Sequence, residues 1–475
     1  MLFTNFVFLF YFFPVAIAVY YIFSFSKNLR NIWLILISLV FYGWAEPLYI
    51  FGLMALIVLN MGMGIIIEKN KDTKAFLIFA IGLNILVLFA MKYLDLTASV
   101  ITEISGYRLL FNLGLHIPIG ISFFVLRAIS YLVDIYRGKT QATSNIIDLG
   151  LYFAFFPILI AGPIVSFQEM RPQIKDRKHN LNRVAVGFSR FVTGFAKKAI
   201  LANAFALIAT RIFDLSTIGK SIYDVPALLA WLGALTFVLQ IYFDYSAYCD
   251  MAIGLGLIFG FKFPENFNYP LSAITVTQFW KRFNITLFGW FDEYLSKSLY
   301  REDKKNKDRA IRNTLILWVL IGLWHGPNLT FVAWGIFNFV LIIMEEFLDM
   351  DEWKVKPVFL RVYTILVITL GFVIFKAKDL YQAGIYIGNM FARNHNGFYS
   401  DIAMMYLREY GALYILGIIF ATPLARKINS GLIKMKWGRK TVAYNAIYPL
   451  FMTILFVVSV AYIIVLGNTE FVFYR

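Results

Sequence analysis

Long apolar runs separated by short polar connections restrict what this chain can fold into more than any other feature. A helix needs about 20 consecutive apolar residues to cross a ~30 Å hydrocarbon core. Candidate runs lie at 5–23, 32–42, 48–67, 75–91, 116–136, 149–165, 184–213, 226–261, 311–343, 358–375, 412–422 and 443–466. Hydrophobic residues make up 60% of the chain and charged residues 15%, against roughly 45–50% and 25% in a soluble domain. That balance excludes a soluble globular enzyme, a disordered chain and a secreted disulfide scaffold. Cys249 is the single cysteine, so an internal disulfide and a multi-cysteine metal site are excluded as well. The expectation is an all-α, polytopic integral membrane protein with roughly ten to twelve membrane segments by this length criterion. Residues 1–475 read as one membrane domain with no separate soluble domain, because the longest polar stretches, 171–183 and 297–312, are only loop-sized.

Not every run is a simple crossing. Run 32–42 is half a span, whereas 226–261 and 311–343 are long and carry Gly or Pro inside. Such runs fit broken or re-entrant helices, which a bilayer tolerates only where protein or a water-filled cavity covers the backbone.

The net charge of +16 comes from 44 basic and 28 acidic residues. In a soluble protein it would suggest nucleic acid, but here the basic residues collect in short loops. Lys27 and Arg30 form one loop, and 171–183 another. Loop 297–312 has seven basic residues against three acidic, and 426–440 has six and no acid. The positive-inside rule puts these loops in the cytosol, where they also form a rim attractive to an anionic ligand. Residues 2–25 have no basic leader region and no small-residue cleavage site, so they read as a first span rather than a signal peptide. Both termini are then expected outside the cytoplasm.

Ionisable residues inside a membrane are costly, so they are functional candidates. Asp244 and Asp250 lie in the apolar segment Ile241-Tyr-Phe-Asp-Tyr-Ser-Ala-Tyr-Cys-Asp. Their spacing of six puts them on different helix faces, and the plainer reading is that each is held by backbone donors or a basic partner. Arg127 sits mid-run and needs a partner, with Asp134 or Asp244 available by sequence.

Of four histidines, His179 and His395 lie in polar loops and His116 opens an apolar run. His325 differs. It lies in Leu320-Ile-Gly-Leu-Trp-His-Gly-Pro-Asn, and Pro327 should end the helix just past it. It follows Arg312 by 13 residues, or ~20 Å of helix, which is past the midplane of a ~30 Å core. A histidine alone on an apolar helix is ordinarily a packed core residue. The adjoining helix break and the depth argue instead for a polar site, where a neutral imidazole can act as a base. Trp324 stands beside it.

Upstream, Trp280, Phe283, Leu287 and Trp290 recur at helical spacing and predict an amphipathic helix carrying Asn284. Asn284 precedes Lys297 by 13 residues, the same offset as His325 on the other side of the basic loop. No metal or nucleotide motif emerges. Gly254-Leu-Gly-Leu-Ile-Phe-Gly has dinucleotide-motif letters without a strand before it, so helix packing is the better reading.

Taken together, Leu2-Phe-Thr-Asn-Phe-Val-Phe-Leu-Phe, Pro118-Ile-Gly-Ile-Ser-Phe-Phe, Ile129-Ser-Tyr-Leu-Val-Asp-Ile-Tyr-Arg-Gly, Phe155-Phe-Pro-Ile-Leu-Ile-Ala-Gly-Pro, Phe263-Pro-Glu-Asn-Phe-Asn-Tyr-Pro, Phe279-Trp-Lys-Arg-Phe, Trp324-His-Gly and the terminal Asn468-Thr-Glu-Phe-Val-Phe-Tyr-Arg are specific. The chain resembles the membrane-bound O-acyltransferases, in the branch that O-acetylates alginate or peptidoglycan or D-alanylates teichoic acid. The resemblance implies helices around a central cavity in a bacterial cytoplasmic membrane. It implies acetyl-CoA as the acyl donor, with no bound cofactor or metal, and a cell-envelope polysaccharide as acceptor. A periplasmic or surface esterase-like partner protein and membrane lipid complete the expected surroundings, without nucleic acid. His325 matches the family's catalytic histidine, and Asn284 stands where this branch usually has a second histidine. Asn284 can donate a hydrogen bond to a thioester carbonyl but cannot act as a base. Arg127 replaces a usual Gln, and Glu293-Tyr-Leu-Ser-Lys-Ser lacks the branch's Pro and Gly-Gly. Trp280, Trp324, Asp244, Asp250 and Arg127 are the expected supporting residues. The alternatives are a D-alanyl transferase fed by a carrier-protein thioester, and a transporter or flippase with broken helices.

Overall fold

Where water is absent, each backbone N–H and C=O must be bonded within its own segment or by a neighbour, and the structure meets that demand with helices. The computed structural model describes residues 1–105, 116–177, 179–214, 224–296, 307–394, 396–424, 442–467 and 469. His395, the basic loop parts 297–306 and 426–440, and the terminal motif apart from Thr469 lie outside these residues. Among the described residues, nine helical stretches are long and apolar enough to cross a membrane. Backbone contacts divide the chain into two compact units, Met1–Phe191 with Cys249–Pro264, and Val192–Tyr248 with Glu265–Arg475.

The first unit contains α1 (Phe13–Ile22), α2 (Lys27–Gly43), α3 (Tyr49–Lys69), α4 (Lys74–Ser105) and α5 (Ile121–Tyr136). Next come α6 (Ile146–Ala154), α7 (Phe156–Leu159), α8 (Phe167–Lys175) and most of α9 (Leu181–Ala196). Run 149–165, expected as one crossing, is two short helices followed by irregular backbone. The chain is extended at Phe155 (ψ 112°), and Pro157 opens α7. Every residue from Asp148 to Val165 is buried, and the N–H of Phe156 donates to Ser38 Oγ at 3.0 Å. Protein thus supplies what lipid could not. Arg127, fully buried on α5, donates to Phe153 O at 2.8 Å and so binds a carbonyl that the broken α6 leaves open.

α11 (Ala227–Ile258) is one continuous helix of 32 residues, not the broken run expected from its glycines. Those glycines serve packing. A methyl group on Gly254 would sit 2.6 Å from Gly187 O, and one on Gly187 would sit 2.7 Å from Gly254 O. α9 and α11 therefore meet backbone to backbone, as expected for Gly254.

The second unit begins with the end of α9, a π-helical turn at Lys197–Ala202 and α10 (Asn203–Phe213). It holds much of α11, the short helices α12 (Val276–Trp280) and α13 (Ile285–Phe291), and a hairpin of α14 (Lys307–His325) and α15 (Leu329–Phe347). α16 (Pro357–Lys376), α17 (Leu380–Met390), α18 (Asp401–Ala421) and α19 (Val442–Leu466) follow. Run 311–343, read as one long broken segment, is this hairpin. Gly322 faces Phe331 O and Gly335 faces Trp318 O so closely that a methyl on either would clash at 2.5 and 2.3 Å. The pairs 322/331 and 318/335 share one antiparallel register.

Candidate active site

The helix break beyond His325 is present. α14 ends at His325, residues 326–328 turn, and Asn328 caps α15 by accepting from Thr330 N at 3.0 Å. The Asn328 amide also donates to Lys378 O at 2.7 Å, just beyond the end of α16. The imidazole lies among aromatic rings. Centroid distances are 4.9 Å to Trp324, 5.0 Å to Phe375, 5.3 Å to Trp334 and 6.0 Å to Phe331, with the Trp334 and Phe375 rings edge-on. Phe375 belongs to the last turn of α16, so His325 packs against the end of that helix.

Asn284 occupies a different backbone from the one expected. The amphipathic helix is interrupted at 281–284, and Asn284 is left-handed (φ 52°, ψ 50°) directly before α13. Asn tolerates this conformation better than most residues. An isolated antiparallel bridge, Phe267 to Phe283, holds the interruption, with Asn268 N bonded to Arg282 O and Ile285 N to Asn266 O. The matched offset from Lys297 therefore does not translate into matched helix arms.

The orientation of the Asn284 amide follows from its neighbours. Thr286 N–H and Thr286 Oγ1–H both donate to Asn266 Oδ1 at 2.9 Å. A backbone N–H can only donate, so Asn266 must turn its NH₂ towards Asn284. Asn284 Oδ1 accepts from Asn266 Nδ2 at 3.0 Å and from Tyr245 OH at 3.2 Å. Its oxygen is thus occupied, and its NH₂ donates to no described residue.

Aromatic packing joins the two segments. Trp280 lies 5.3 Å from Trp334 and 5.4 Å from Trp318, and its Nε1 donates to Asn338 Oδ1 at 2.9 Å. Trp334 thus packs against both Trp280 and His325. Buried Glu345, in the last turn of α15, accepts from Val276 N (2.6 Å), Thr277 N (3.0 Å) and Thr277 Oγ1 (3.1 Å). A carboxylate on donors at a helix N-terminus is favourable, and it fixes the start of α12 against α15.

Asp244 forms a buried ion pair with Lys198, 2.6 Å apart. The neighbouring Tyr245 is the residue that reaches Asn284. The second unit therefore holds His325, Trp324, Trp280, Asn284 and Asp244. Arg127 and Asp250 belong to the first unit, where Asp250 pairs with Arg190 at 2.6 Å. Sequence reading missed Glu345, Asn338, Lys198 and Tyr245. Asn266 was present only as a letter in Phe263-Pro-Glu-Asn, and an acid near the end of an apolar run looks like an ordinary helix terminus.

The fold and site are those of a multi-pass, all-helical membrane protein with a histidine and an oriented amide in one helical unit. The chain belongs to the membrane-bound O-acyltransferase family, whose model matches residues 113–375. It is therefore an enzyme that moves an acyl group from a donor to an acceptor oxygen. It is 35% identical to the probable alginate O-acetylase of Pseudomonas putida over 403 residues, 82% of this chain and 80% of that protein. It is 32% identical to the peptidoglycan O-acetyltransferase of Helicobacter pylori over 81% of this chain and 78% of that one. The teichoic acid D-alanyltransferase of Bacillus subtilis is 27% identical over 56% of this chain and 70% of its own length.

Proposed function

We propose that the protein is a cytoplasmic-membrane O-acetyltransferase that takes acetyl from cytosolic acetyl-CoA for transfer to a cell-envelope polysaccharide. In this reading His325 removes the proton from the acceptor hydroxyl. The oxygen attacks the thioester carbonyl, the C–O bond forms, the C–S bond breaks and the thiol leaves with a proton. Asn284 donates its NH₂ to the carbonyl oxygen as negative charge develops there, the kind of stabilisation worth roughly 10²–10³ in rate. The observation that carries the reading is the Asn284 amide, whose oxygen is occupied by Asn266 and Tyr245 so that only a donor remains.

The two O-acetylating relatives each cover about four-fifths of the chain, more than the D-alanylating relative covers, which supports acetyl as the acyl group. The basic loops support cytosolic faces at 27–30 and 171–183, with both termini outside. An esterase-like extracytoplasmic partner receives the acetyl group. Purified protein with that partner and [¹⁴C]acetyl-CoA should label the polymer, and His325→Ala should abolish labelling at normal abundance. Undiminished labelling in that variant would overturn the mechanism. Labelling from a D-alanyl carrier protein but not from acetyl-CoA would overturn the choice of donor.

A further inference from the structure

Two arginines and a histidine meet around one tyrosine ring in the first unit. Arg30, in the first turn of α2, lies with its guanidinium carbon 5.7 Å from the Tyr20 ring centre, and Arg177 with its own 5.9 Å away. Arg177 also covers Phe261 at 4.6 Å. Tyr20 OH donates to Phe259 O at 2.7 Å, accepts from Arg177 Nε at 3.2 Å, and lies 3.2 Å from His179 Nε2. Asn31 Oδ1 accepts from Arg177 Nη2 at 2.6 Å.

The cluster has positive charge without a counter-charge. Arg177 donates only to neutral oxygens, and Arg30 Nε is shielded from solvent without a hydrogen-bond partner. Among the described residues, no acid forms an ion pair with either arginine, and the adjacent Asp176 is exposed. Like charges held together in a partly desolvated place repel, and an anion between them would offset that cost. The same surroundings push the His179 imidazole down to about 4, through burial first and then the charges of Arg30 and Arg177.

We infer that the Arg30–Tyr20–Arg177 cluster is a binding site for a phosphate-type anion. Arg177 already donates through Nε, Nη1 and Nη2, so in this site it supplies mainly charge and the Arg30 guanidinium supplies the hydrogen bonds to phosphate oxygens. Arg30 lies just after the apolar stretch Phe8–Phe25, the level at which a phospholipid presents its headgroup. Two sources share this chemistry, an anionic lipid headgroup and a soluble phosphate.

The test uses the full-length protein and follows its thermal unfolding midpoint. In one arm, inorganic phosphate is titrated in zwitterionic detergent against chloride of equal ionic strength. In the other, nanodiscs of phosphatidylcholine are compared with nanodiscs containing phosphatidylglycerol. A saturable rise in midpoint in either arm is expected, with half-saturation about tenfold weaker in Arg30→Gln, the loss expected for one charge-assisted hydrogen bond. Arg30→Lys, which keeps the charge but not the fork, should fall between. A rise only with phosphatidylglycerol identifies the lipid source, and a rise with phosphate identifies the soluble one. No rise in either arm, an equal rise with chloride, or an unchanged response in Arg30→Gln would overturn the proposal. Arg30→Gln should leave acyl transfer from saturating donor unchanged, so the outcome is independent of the proposed chemistry at His325.

Discussion

The Lys198 ammonium lies 2.6 Å from the Asp244 carboxylate, and each side chain is 1% exposed. Lys198 also donates to Thr469 Oγ1 at 3.2 Å, and Thr469 donates to Asn203 Oδ1 at 2.7 Å. One buried charge pair therefore joins the π-helical turn, α11 and the C-terminal segment, one residue before the tyrosine that orients Asn284.

Breaking this pair from one side should be costly. Lys198→Ala removes the ammonium that faces the buried Asp244 carboxylate, with an expected loss of about 3–5 kcal/mol. The double variant Lys198→Met/Asp244→Leu should lose less than either single alanine variant. Denaturation in detergent measures all four proteins, and additive losses would refute a coupled pair.

Asn284 combines a backbone requirement with an amide requirement, and two substitutions separate them. Asn284→Gly accommodates the positive φ but removes the amide, so it should keep most of the stability and lose about 10²–10³ in acyl transfer. Asn284→Ala should lose similar activity and be less stable by about 1–2 kcal/mol. Equal activity of Asn284→Gly and the parent protein would exclude a role for the amide.

Glu345 serves three donors at the start of α12. Glu345→Ala leaves buried N–H groups unpaired and should cost about 1–3 kcal/mol for each one that water cannot reach. Glu345→Gln keeps one oxygen and should fall between. If α12 positions Trp280 and Asn284, both variants should lower the turnover of saturated enzyme more than its affinity for donor. A change in affinity alone would rule out positioning through α12.

His179 gives stability a definite pH slope. Its imidazole is pushed from 6.5 down to about 4 by burial and by Arg30 and Arg177, so the unfolded chain takes up a proton that the folded protein refuses. Stability is complete above about pH 6.5 and falls as the pH drops towards 4. The unfolding midpoint of His179→Asn should depend less on pH across this window. An identical slope in parent and variant would remove His179 as its source.

Much of the site was legible because it depends on local chain chemistry. Pro327 and Gly326 stop a helix wherever the helix lies, so the break at His325 could be read from letters. Gly254 signalled close packing because only a missing side chain permits it. Asn284 was legible as a residue but not as a conformation. The helical spacing of Trp280, Phe283, Leu287 and Trp290 suggested a continuous helix, whereas pairing of 266–268 with 282–285 imposes a left-handed residue on that pattern. Run 149–165 failed similarly, since apolar length cannot distinguish a crossing from buried irregular backbone.

The sequence by itself determined that the chain is a helical membrane protein, where most of its helices lie and which histidine ends one of them. Those properties depend on transfer of each segment from water and on backbone sterics, and both are local. Only the tertiary structure decided that Lys198 neutralises Asp244, that Glu345 holds α12, and that Asn266 and Tyr245 turn the Asn284 amide into a donor. These partners are 46, 69, 18 and 39 residues apart. A buried polar group takes its partner from whichever helix packs against it, and that choice belongs to the whole fold.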